Sequence, residues 1–191
     1  MGKFLGILLL ILLLGGGAFY FFTKNGSGIA GLNPLTGKGG ISISSQEFPK
    51  KGEIPGMYTC DGDDVSPPLV IDRVPGDAES LVLIVEDADS KPAGFTHLIL
   101  YNLSPETLNI LSDTRSDEAS YGINDFGKVG YSGPCPPQNE PHKYYFRIYA
   151  ITERLSFAGN PNRADIDNAI RGKVIRTGEF YGQYFNRFNP R

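Results

Sequence analysis

Residues 81–103 read L-V-L-I-V-E-D-A-D-S-K-P-A-G-F-T-H-L-I-L-Y-N-L. Leu81–Val85 is an unbroken apolar run with two Val and one Ile, the composition of a central strand buried on both faces. Phe95–Leu103 is a second, longer apolar run, and Asp87 and Asp89 close the first. Working outward, Ile41–Ser45 alternates apolar and polar, Tyr144–Ile151 is rich in Tyr, Phe and Ile, and Val174–Tyr184 reads as a late strand. Gly178 and Gly182 interrupt that last run and predict either bulges or a close backbone neighbour. Only Ala164–Arg171 has helical spacing, through Ile166, Ala169 and Ile170, with Asn162 placed to cap its start and Gly172 its end. The chain has no Trp, yet 10 Tyr and 12 Phe supply bulk for a core. Its 24 Gly and 14 Pro in 191 residues are too many for a helical bundle, so the composition predicts a mainly β domain.

The amino-terminal part has a different character. Phe4–Phe22 carries no charge over 19 residues; as a helix it would reach about 28 Å, close to the hydrocarbon thickness of a bilayer. Lys3 and Lys24 flank it, and Phe19–Phe22 form an aromatic cluster at one end. The expectation is one N-terminal transmembrane helix, a signal-anchor over residues 1–22. A Gly-rich flexible linker follows over 23–40, and the folded domain covers 41–191. The competing reading is a secretory signal cleaved after Ala18. The larger body follows the helix, which favours an extracytoplasmic domain at a membrane. A formal net charge of −3 gives no basic stripe for nucleic acid, which is not expected as a partner.

Chemistry can come from few residues. His97 lies in the second apolar run and His142 opens the run H-K-Y-Y-F, where strand alternation puts it on one face with Tyr144. If these strands lie beside the one closed by Asp87, two imidazoles, a carboxylate and a phenol meet in one pocket. Such a set suits a phosphate-type anion, with backbone N–H groups around Gly133 as further donors. The plainer alternative is a satisfied core histidine in each strand. The segment G-Y-S-G (Gly130–Gly133) lacks the spacing of a serine-hydrolase elbow. No H-x-x-x-H or C-x-x-C pair marks a metal site, and D-G-D-D (Asp61–Asp64) reads as an Asp/Gly turn; no metal or cofactor is expected. Cys60 and Cys135 each sit in a Pro-rich loop. An even pair in an exported domain points to a disulfide between them, whereas a cytoplasmic domain would carry two free thiols.

Five segments taken together resemble the phosphatidylethanolamine-binding protein (PEBP) family, in its bacterial and archaeal Raf-kinase-inhibitor-like branch. They are Tyr58–Leu69 (Y-T-C-D-G-D-D-V-S-P-P-L), Val85–Asp89 (V-E-D-A-D), Phe95–Leu103, Asn124–Pro137 (N-D-F-G-K-V-G-Y-S-G-P-C-P-P) and Pro141–Ile151. The resemblance implies a PEBP-like fold with a large antiparallel sheet, a smaller sheet, a short C-terminal helix and a small anion pocket at one end of the large sheet. It implies roles in that pocket for Asp87, Phe95, His97, Gly133, Pro134, His142 and Tyr144. Four positions depart from the family pattern: Ala88 and Ser90 replace Pro and Ala, Phe95 replaces a wall Trp, and Lys143 replaces Arg. Loss of Pro at 88 is expected to loosen the loop that carries Asp87. The functional expectation is a non-enzymatic, membrane-anchored module that binds a small phosphate-bearing anion or phospholipid headgroup. Inhibition of a protease or kinase through protein contact and a weak hydrolase activity are the alternatives.

Overall fold

The computed structural model describes residues 40–112 and 119–186. The expected anchor over 1–22 lies outside the described residues, as does nearly all of the linker. Among the described residues no helix is long and apolar enough to cross a membrane.

The architecture is mainly β, with two antiparallel sheets and one short helix. In chain order the strands are β1 (Ser42–Ser44), β2 (Leu69–Asp72), β3 (Ser80–Asp87), β4 (Phe95–Leu103), β5 (Asn109–Ile110), β6 (Ser120–Tyr121), β7 (His142–Ile151) and β8 (Val174–Tyr184). The helix α1 (Arg163–Ala169) precedes β8. The larger sheet has the order β6-β4-β3-β7-β8, and the smaller one β1-β2-β5.

The apolar run Leu81–Val85 falls within the central strand β3, which is buried at every position. Leu81, Leu83 and Val85 point into the core shared with the small sheet, together with Leu98, Leu100, Phe146 and Ile148. Val82, Ile84 and Glu86 alternate onto the other face. There Glu86 forms ion pairs with Arg147 of β7 and Arg163 of α1. A buried carboxylate held by two guanidiniums thus ties the helix to the sheet. Asn162 caps α1 by accepting from the Asp165 amide at 3.1 Å, and the Asp165 carboxylate returns a bond to the Asn162 amide. The helix begins one residue earlier than expected and ends at Ala169; Gly172 adopts φ +75° just beyond it.

Gly178 and Gly182 mark close neighbours. A Cβ at Gly178 would lie 2.2 Å from the Ile41 carbonyl oxygen, and one at Gly182 would lie 2.6 Å from Ile54 and Phe48 side-chain atoms. The β7/β8 register runs through both glycines without a shift. The register shifts that bear on function lie in the β3/β4 pair. Between Val85 and Glu86 the partner changes from Leu98 to Thr96, so His97 is the extra residue of a bulge.

Candidate anion-binding site

Strand geometry places the first half of the site. Asp87 ends β3 directly opposite Phe95 of β4 and Tyr144 of β7. His142 lies two residues before Tyr144 on the same strand, hence on the same face. Alternation from Phe95 puts His97 on this face as well, where its ring meets Tyr144 edge-on at 5.3 Å. The imidazoles, the Asp87 carboxylate and the phenol therefore converge at one end of the large sheet. Asp87, His97 and His142 border a cavity of about 300 Å³, while Tyr144 packs against both rings without lining it.

Each imidazole uses Nδ1 on the protein. His142 Nδ1 donates to Asp87 Oδ2 at 2.7 Å, and His97 Nδ1 donates to the Ser132 carbonyl at 2.6 Å. A carboxylate and a carbonyl only accept, so Nδ1 carries the hydrogen in both rings. Burial pushes the His97 pKa down, against the Ser132 carbonyl and the Asp87 charge, which push it up. Asp87 Oδ1 accepts from the amides of Asp89 and Ser90 at 2.9 and 3.1 Å. Tyr144 is fully buried, and its hydroxyl has no hydrogen-bond partner of good geometry among the described residues. Burial first, and the nearby Asp87 charge second, push its pKa up.

The loop carrying Asp87 is not slack, although position 88 is Ala. The Ala88 amide donates to the Lys143 carbonyl, and the Lys143 amide to Asp89 Oδ2. Ser90 accepts from the Phe95 amide at 3.1 Å, and its hydroxyl lies within donating distance of the Asp87 and Pro92 carbonyls. A hydroxyl-centred turn therefore supplies the order that a fixed Pro φ would give.

Two expected contributors stand elsewhere. The Gly133 amide does not face the cavity but donates to Asp64 Oδ1 at 2.6 Å. Pro134 is buried behind the wall, with its carbonyl accepting from the Cys60 amide. The reason is Asp64, at φ +57° in the D-G-D-D turn, whose carboxylate captures the second Pro-rich loop. The wall itself is made by Cys135, Pro136 and Pro137, and Cys135 is joined to Cys60 in a disulfide. Phe95 forms the apolar side, packed edge-on against Phe126 at 4.8 Å. Ser132, the serine of G-Y-S-G, is buried, and its Oγ accepts from Asn124.

Sequence reasoning missed Phe126, Glu140 and Asn124. Phe126 and Glu140 border the cavity, with Asp89, Ser90 and Lys91 along its rim. Buried Asn124 holds the Phe126 loop by accepting from the Phe126 and Lys128 amides and donating to the Gly130 carbonyl. The motif N-D-F-G contained this signal; Glu140 had none. A larger cavity of about 710 Å³ opens near Leu98, Tyr101, Tyr121, Tyr131 and Phe157, but among the described residues no His, Lys or Arg lines it. Among the described residues, no group of three or more His, Cys, Asp or Glu is arranged to hold a metal ion.

The profile of the family described as phosphatidylethanolamine-binding protein matches residues 44–185. A UPF0098 protein of Archaeoglobus fulgidus is 47% identical over 142 residues, which cover 72% of this chain and 48% of that protein. A phosphatidylethanolamine-binding protein homologue of Chlamydia trachomatis has a solved structure with a TM-score of 0.73 at 38% identity, covering 77% of this chain and 98% of its own. YbcL of E. coli superposes with the same TM-score, 0.73, at 24% identity, over 78% of this chain and 100% of its own, a likeness of fold.

Proposed function

We propose, from the premise that this chain belongs to the phosphatidylethanolamine-binding protein family, that it binds a small phosphate-bearing group in the Asp87–His97–His142 pocket and releases it unchanged. One observation carries the reading: two imidazoles, with Nδ1 held by Ser132 in one and by Asp87 in the other, border one cavity of about 300 Å³. Behind the rings Tyr144 keeps a buried hydroxyl without a hydrogen bond of good geometry among the described residues. Such groups can bond the oxygens of a phosphate. Ser132 Oγ accepts from Asn124 and Ser90 bonds backbone, an arrangement that favours binding over nucleophilic catalysis by either serine. The charge-free stretch 4–22 would hold the domain at a membrane, and deleting it should move the protein from the membrane to the soluble fraction.

Isothermal titration of the full chain with phosphate and O-phosphorylethanolamine tests the pocket. The native chain should give saturable heats, and His97→Ala/His142→Ala should lose at least about tenfold in affinity, the scale of one charge-assisted hydrogen bond. Equal heats for the two proteins would remove the reading.

A further inference from the structure

The positions of the ring hydrogens narrow the anion-binding reading to one ionic form of the ligand, an assignment that rests on that reading. Both rings spend Nδ1–H on the protein, so Nε2 is what each offers to a ligand. Their surroundings differ. Behind His142 stands the Asp87 carboxylate, a counter-ion for a positive ring. Behind His97 stands a neutral carbonyl, and the ring is buried to 2% exposure. A counter-ion for a charged donor thus stands behind His142 and not behind His97, whose Nε2 presents a lone pair. A lone pair meets a ligand oxygen favourably only if that oxygen brings a hydrogen.

The charges around the pocket point the same way. Glu140 Oε2 lies 3.9 Å from His142 Nε2, beside the place where a ligand oxygen would accept. Asp87 faces both rings, Asp125 lies near His97, and Tyr144 packs between them. On the rim, Asp89 faces Lys143 at 3.7 Å, and Lys91 is the one Lys or Arg bordering the cavity among the described residues. A second negative charge on the ligand would sit against Glu140 and Asp87.

We propose that the pocket selects phosphate monoesters in their singly charged form, one oxygen accepting from His142 Nε2 and the P–OH donating to His97 Nε2. A diester is singly charged but brings no hydrogen. A fully ionised monoester brings neither the hydrogen nor the lower charge. Glu140 is then a specificity-determining residue, acting against dianions.

The test compares methyl phosphate with dimethyl phosphate on the full chain by isothermal titration at pH 6 and pH 8. A cavity of about 300 Å³ has room for both, so size does not decide. Methyl phosphate should bind at least about tenfold more tightly than dimethyl phosphate at pH 6. Its affinity should fall by about fiftyfold at pH 8, as the monoprotonated fraction falls for a second pKa near 6. Glu140→Gln should shrink that fall by readmitting the dianion. Dimethyl phosphate matching methyl phosphate at pH 6, or methyl phosphate binding equally at both pH values, would overturn the proposal while leaving anion binding intact. Absence of binding by either ligand at pH 6 would overturn both. Vesicles of phosphatidic acid supply the source arm. Their displacement of methyl phosphate assigns the monoester to a lipid, and their failure to displace it assigns a soluble ester; either result keeps the monoester assignment.

Discussion

A hydroxyl buried without a well-formed hydrogen bond costs about 1–3 kcal/mol, and Tyr144 carries one near Asp87, under the edge of the His97 ring. Such a group is tolerated where a ligand completes it. Tyr144→Phe should therefore raise the stability of the ligand-free chain by about 1 kcal/mol, read as a higher melting temperature, and weaken phosphate binding by about tenfold. A variant that melts lower, or binds as before, would show that the hydroxyl is already satisfied. His97 gives a second residue-scale outcome. Burial holds its pKa below the ordinary value of about 6.5, so the unfolded chain takes up the proton first as pH falls. Stability is full above about pH 6.5 and declines below it, by at most about 1.4 kcal/mol per pH unit from this ring. His97→Gln should flatten the acid limb of urea stability between pH 6.5 and 5, measured without phosphate. The convergence of His97, His142, Asp87 and Tyr144 was legible because strand alternation fixes faces. The path of the Gly133 loop was not, because the Asp64 bond that fixes it links residues 69 apart.

At the scale of elements, the long strands were readable and the short ones were not. The strands β3, β4, β7 and β8 have 8–11 residues, enough for a composition to stand out. By contrast β5 and β6 have two residues each and exist through the neighbours they pair with. The bulge at His97 also left no sign in the sequence, since strict alternation already put His97 on the face of Phe95. The glycines of β8 were readable as a choice between two causes, and geometry selects close approach. Gly178→Ala would drive a methyl group into the Ile41 carbonyl, a backbone group that cannot swing aside as a long side chain would, and against the buried Ile148 side chain. We expect a loss of about 2–3 kcal/mol in urea-unfolding free energy, the upper part of the overpacking range. Protection of the Ile41 amide, which donates to Thr177 at 3.1 Å, should fall in hydrogen exchange. Unchanged stability would mean that β1 can move away from β8 freely.

For the molecule as a whole, the bridge from Cys60 to Cys135 joins positions 75 residues apart. Closing a loop of that length removes entropy from the unfolded chain worth about 4 kcal/mol in the chain-entropy account. That is a large share of the roughly 5–15 kcal/mol by which domains are stable. The folded chain depends on it less. The two Pro-rich loops are also joined by the Cys60 amide to Pro134, by Tyr131 Oη to the Tyr58 carbonyl at 2.8 Å, and by Gly133 to Asp64. Stability and binding should therefore separate. Cys60→Ser/Cys135→Ser should unfold at lower urea, with a loss of about 3–4 kcal/mol, while its phosphate affinity at 25 °C stays within about fivefold. Dithiothreitol should shift native midpoints toward the variant and leave the variant unmoved. If the variant keeps its midpoint, the bridge contributes no net stability to the native chain. If binding collapses while the midpoint falls little, the bridge positions Pro136 and Pro137 directly, and the three hydrogen bonds do not hold that wall alone.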